Sequence, residues 1–150
     1  MAGQFWLIKS EPYKYSFAQL TADKRAVWDG VRNYEARNSM RCMKKGDLVL
    51  FYHSNEGKAV VGVARVSKEA TPDQTAPDED WSVIEVEPVV ALKAPVELDV
   101  IRSDPELATI ALLKRSRLSV VPISPEHFDH ILALGKTKLP ASKRRAAAET

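Results

Sequence analysis

The sequence predicts an α+β fold: a small, mainly antiparallel, curved sheet or pseudo-barrel flanked by helices. Three observations carry this expectation. Strand-like apolar runs gather mid-chain around a hairpin, GDLVLFYHSNEGKAVVGVARV at 46–66. Helix signals lie outside that cluster, and no strand–helix–strand unit repeats. The 150 residues, 45% hydrophobic and 28% charged, suit one globular domain that buries roughly two-thirds of its unfolded surface.

FWLIKS at 5–10 is a short apolar run stopped by Glu11-Pro12, hence a buried strand. Ser16 stands three residues before Gln19, a capping-box spacing that starts a helix over 16–23. WDGVRN at 28–33 reads as a turn, with Gly30 free to adopt a backbone that other residues resist. Asn33 caps a helix over 34–45, which Gly46 ends. Strands follow at 47–53 and 59–70, joined by the turn SNEG. TPDQTAPDED at 71–80 is a loop by composition, and 81–92 is a strand bulged or at an edge near Pro88. Residues 95–106 supply short helical turns, and 117–124 the last strand. Ser124-Pro125-Glu126 opens a final helix that Gly135 closes. The domain is thus expected over 1–135, and 136–150 as a basic, flexible tail.

Charge and composition exclude several classes. Net charge is +2, yet 24–45 carries seven basic against two acidic residues, while 69–80 carries five acidic and none basic. One basic patch on a nearly neutral body fits a partner with a small anionic area, not a coat along nucleic acid. Cys42 is the single cysteine and the three histidines are scattered, so neither a disulfide framework nor a metal centre is expected. No apolar run approaches a membrane span, and MAGQFWLIKSEP does not read as a signal peptide. A cytoplasmic monomer without cofactor is the expectation. P-loop, GxGxxG, GxSxG and HExxH motifs are absent.

Two polar triplets end apolar strands: Lys9-Ser10-Glu11 and His53-Ser54-Asn55. Each alone is an ordinary strand end, but together they can converge on one rim of the sheet. WDGVRNYEARN at 28–38 adds an aromatic, Trp28, for stacking on a flat ligand. Its Asn33, Asn38, Arg32 and Arg37 are donors for base edges or phosphates. Trp28 serves equally well as a core anchor, and Arg37, Arg41, Lys44 and Lys45 equally well as a solvated helix face. Trp81 is a candidate second wall, although core packing explains it better. Lys114-Arg115-Ser116-Arg117 is a modest basic cluster suited to phosphates.

KSEP at 9–12, WDGVRNYEARN at 28–38 and GDLVLFYHSN at 46–55, in this order, resemble the EVE domain of the PUA-like superfamily. LLKRSRLSVVPIS at 112–124 resembles that family's closing segment, so the likeness runs over about the first 135 residues. FWLIKS, Val27-Trp28, SNEG before VVGVARV, and Trp81 are similar in outline to YTH domains, readers of methylated adenine in RNA. The resemblance implies a barrel-like α+β fold and a non-catalytic reader of a modified base. Modified cytosine in DNA is the first expectation, a modified base in RNA the second.

On that reading Trp28 stacks on the base, while Ser10, Asn33, His53 and Ser54 meet its edge. Lys9, Arg32 and Arg37 approach flanking phosphates. Glu11, Asp29, Gly30, Val31, Tyr34, Asn38, Tyr52, Asn55 and Arg117 complete the expected base- and nucleic-acid-binding set. A second reading is a hydrolase of modified nucleosides, as in related ASCH-type barrels, with Lys9 and Glu11 as a proton-transfer pair around Ser10. A third is an interaction module whose pocket is vestigial.

Overall fold

In a computed structural model, residues 4–28, 33–54, 57–75, 78–115 and 118–139 are described. The chain runs β1 (Phe5–Ser10), α1 (Phe17–Asp23), β2 (Ala26–Trp28), α2 (Tyr34–Cys42), β3 (Leu48–His53), β4 (Ala59–Pro72) and β5 (Ser82–Glu97). It continues through α3 (Leu98–Ser103), a 3₁₀ turn (Pro105–Leu107), α4 (Ala111–Lys114), β6 (Val120–Ile123) and α5 (Pro125–Leu134). The strands form one open, curved sheet in the order β2-β5-β4-β3-β1-β6. The α+β class is as expected.

Most pairings are antiparallel, but β1 lies parallel to β3 and antiparallel to β6. Trp6, Leu7 and Ile8 are buried in succession because this central strand is covered on both faces, which explains the unbroken apolar run. Curvature comes from β4 and β5. Their register shifts at four places, one of them at Ala64↔Pro88, and each irregularity adds local twist. Both strands also outrun the expected ends at 70 and 92. Pairs Pro72↔Ser82 and Ala59↔Glu97 extend the ladder, so Thr71-Pro72 belong to β4 and Pro95 to β5.

The sheet separates two apolar clusters. On one face Leu7, Leu50, Tyr52, Val63 and Ile101 pack with Phe128 and Ile131 of α5. On the other, Trp6, Ile8, Phe51 and Ile84 pack with Phe17 and Leu20 of α1 and Met40 of α2. Helix starts follow the sequence: Ser16 accepts from Gln19 N at 3.0 Å, Asn33 from Ala36 N at 3.0 Å, and Ser124 from His127 N at 3.2 Å. Helix α2 stops at Cys42, short of the expected 45. Asp47 explains this, because its buried carboxylate takes Lys44 N at 2.9 Å, Gln4 N at 3.0 Å and Trp6 Nε1 at 3.0 Å.

Packed structure continues past 135. Thr137 is buried, and its hydroxyl accepts from Lys93 N at 2.8 Å and donates to the Gly135 carbonyl at 2.7 Å. Leu139 rests on the larger cluster. Residues 140–150, the rest of the expected tail, lie outside the described residues. We expect truncation after Gly135 to be about 2–3 kcal/mol less stable than truncation after Leu139, from lost hydrogen bonds and leucine burial. Equal urea midpoints and slopes for the two truncations would show that 136–139 contribute nothing.

Candidate functional site

Parallel pairing of β1 with β3 puts Lys9 beside Tyr52 and Ser10 beside His53 in register. The Ser54 N–H continues the ladder, donating to the Ser10 carbonyl at 2.9 Å. Lys9-Ser10 and His53-Ser54 therefore meet at one end of the sheet. Strand alternation then divides them between its faces. Ser10 follows Ile8 and His53 follows Phe51, on the α1/α2 side. Lys9 follows Leu7, and Tyr52 joins the cluster on the opposite side.

On the α1/α2 side Trp28, at the end of β2, is half-buried rather than part of a turn. Its ring meets Tyr15 edge-on at 5.9 Å and 76° and Phe51 at 5.7 Å and 80°. Ser10 Oγ donates to the Tyr15 carbonyl at 2.5 Å, tying the rim of β1 to this aromatic group. His53 stands edge-on to Phe51 at 5.8 Å. Its Nε2 accepts from Phe17 N at 3.1 Å, which places the ring proton on Nδ1. Phe17 in turn lies flat against Gly62, where an added Cβ would stand 2.5 Å from Cζ; only glycine admits the ring so close to β4. Tyr15 donates to Asp23 Oδ2 at 2.9 Å, and burial with that bond pushes its phenol up to about 12. Glu11 sits at the same rim, with Oε2 buried and 3.9 Å from Lys14 Nζ.

Burial lowers the His53 pKa from its ordinary 6.5. As pH falls, the unfolded chain takes this proton first, so stability is whole above 6.5 and lost as pH falls through the folded value. We expect the melting temperature to drop on acidification across that window, and His53→Gln, whose amide oxygen can accept from Phe17 N, to flatten the drop. An unchanged slope in the variant would refute the assignment.

Other expected residues lie elsewhere. Asn33 uses its side-chain oxygen to cap α2. Tyr34 is 67% exposed and stacks on Trp81 at 5.1 Å and 19°. Arg37 lies 4.9 Å over the Tyr34 ring, binds Asp80 Oδ2 at 3.3 Å, and donates to Asn38 Oδ1 at 3.0 Å. Arg41 reaches Asp80 Oδ1 at 2.5 Å and Ser82 Oγ at 2.9 Å; its hydrogen bond holds the Asp80 carboxyl below the usual range. Arg37 and Asn38 thus belong to a clamp between α2 and the start of β5, not to the surroundings of Trp28, and Trp81 packs with that clamp. Lys9, Tyr52 and Ser54 line a cavity on the opposite face. Asp29, Gly30, Val31, Arg32, Asn55 and Arg117 lie outside the described residues. Tyr15 and Phe17, missing from the expected set, wall the site; their signal was the aromatic spacing YKYSF just after Lys9-Ser10-Glu11.

An EVE domain family model matches residues 4–134. The chain belongs to the EVE domain family. Mouse thymocyte nuclear protein 1 is 36% identical over 168 residues, covering 89% of this chain and 74% of that protein. A crystal structure of human THYN1 protein in complex with 5-methylcytosine-containing DNA superposes with a TM-score of 0.83 at 32% identity, covering 90% of this chain and 99% of that one. A YTH domain of Zygosaccharomyces rouxii MRB1, solved with N6-methyladenosine RNA, matches at TM-score 0.56 and 18% identity over 91% of this chain and 88% of that one; this likeness concerns the fold alone. EVE and YTH domains thus share the PUA-like curved sheet seen here.

Proposed function

We propose that this EVE domain is a non-catalytic reader that takes a modified base, 5-methylcytosine in DNA first, onto the Trp28 face of its sheet. The observation that carries the reading is the half-buried Trp28 ring, held edge-on by Tyr15 and Phe51, with Ser10 and His53 at its rim. A base must leave its stack to reach such a ring, which costs a few kcal/mol and is offset by stacking and edge hydrogen bonds. Support also comes from the related human protein bound to 5-methylcytosine DNA. The hydrolase reading, with Lys9 and Glu11 as a proton-transfer pair, has less support: Lys9 lines the cavity opposite Trp28, whereas the Glu11 carboxylate lies 3.9 Å from Lys14 Nζ.

Anisotropy titrations with short oligonucleotides carrying 5-methylcytosine or cytosine test this reading. One methyl group in a fitted pocket is worth about 10-fold in affinity. The modified strand should lead by that factor, and the log–log salt slope should correspond to only ~2–4 phosphates. Equal affinities with a slope of many phosphates would indicate a charge-driven groove and overturn it.

A further inference from the structure

On the face opposite Trp28 lies a cavity of about 450 Å³ whose polar lining is Lys9, Tyr52, Ser54, Lys58 and Arg102, over a floor of leucines. Its members come from separate elements that the fold forces together. Lys9 and Tyr52 are register neighbours at the ends of β1 and β3. Lys58 leads into β4, and its carbonyl accepts Leu98 N at 2.9 Å, which sets the start of α3 against the hairpin. Arg102 occupies the last turn of α3.

Three cations and two hydroxyls thus line one cavity. Asp99, 3.7 Å from Arg102, is an exposed partner on the same helix. Burial raises the Tyr52 pKa, and the positive charge of Arg102, which lines the same cavity, opposes that rise. Burial also lowers Lys9. Donors and positive charge converging in a half-enclosed space suit an oxyanion with several acceptor oxygens.

We propose that this cavity is a phosphoryl-binding site, seating a backbone phosphate of the strand whose modified base enters the Trp28 face. The strand as source rests on the reader function above; the phosphoryl chemistry does not. Lys9 and Ser10 are consecutive, so the two faces meet at the ends of β1 and β3. A strand turning its base into one face passes its backbone over that end.

Methyl NMR of Leu98, Leu112 and Leu113 tests the site in the wild type and in the surface variant Lys58→Gln/Arg102→Gln, with Lys93→Gln/Lys138→Gln as a charge-matched control. Inorganic phosphate should move these methyls saturably in the wild type and the control, and about 10-fold more weakly in the site variant. Trp28→Ala should leave that response intact. With a 5-methylcytosine oligonucleotide the same methyls should shift, and the site variant should lower the salt slope by about 1–2. A response to free phosphate without one to the oligonucleotide keeps the phosphoryl site but gives it a free phosphate ester as ligand. Methyls unmoved by either, or a site variant that behaves like wild type, would overturn the proposal. Failure of the modified-base preference alone would leave the phosphate response standing and count only against the reader.

Discussion

Asp47→Ala is expected to destabilise the protein by about 3–5 kcal/mol. The carboxylate is 2% exposed and accepts from Lys44 N, Gln4 N and Trp6 Nε1, each at 3.0 Å or less. Removing it leaves the buried Trp6 indole N–H and two part-buried backbone N–H groups without their acceptor, each worth about 1–3 kcal/mol. The same change frees the turn that ends α2 and sets the start of β3, so the rim of β1 and β3 should loosen with it. Asp47→Asn keeps one acceptor and should lose about half as much. Urea denaturation measures both, and a loss under about 1 kcal/mol for the alanine variant would contradict this role.

Trp28→Ala is expected to weaken binding of a 5-methylcytosine oligonucleotide by roughly 1–3 kcal/mol, the value of one base–aromatic stack. Stability should fall too, because the ring packs on Tyr15 and Phe51, but by less than the roughly 3–5 kcal/mol of a fully enclosed aromatic. Trp28→Phe should recover most of the affinity. Thermal melting and anisotropy separate the two effects. A large stability loss with unchanged affinity of the folded variant would make Trp28 a core residue only.

Much of the rim was legible in the sequence because polar triplets closing apolar runs mark strand ends wherever they pair. Their partition between faces was hidden until β1 and β3 were known to be parallel, since two helices and a short strand separate them. Register then puts Lys9 with Tyr52 and Ser10 with His53, and the period of two does the rest. The basic 24–45 and acidic 69–80 segments were both visible as charge, yet helix periodicity does not say which loop a helix faces. Arg37 and Arg41, one turn apart, find Asp80, and the basic patch is partly neutralised within the molecule. The extra length of β4 and β5 was masked by Pro72, Pro88 and Pro95, residues that usually end strands but that this irregular ladder tolerates at its ends and shifts.

Binding of a modified base at the Trp28 face is tested most directly by chemical-shift mapping with a 5-methylcytosine oligonucleotide, following the indole N–H signals of Trp28 and Trp81 and the backbone amides of Ser10, Tyr15 and His53. Large, saturable shifts are expected at Trp28, Ser10, Tyr15 and His53, with Trp81 nearly still and a smaller response to the unmodified strand. Shifts concentrated on Tyr34 and Trp81, with the Trp28 signal unmoved, would contradict binding at that face.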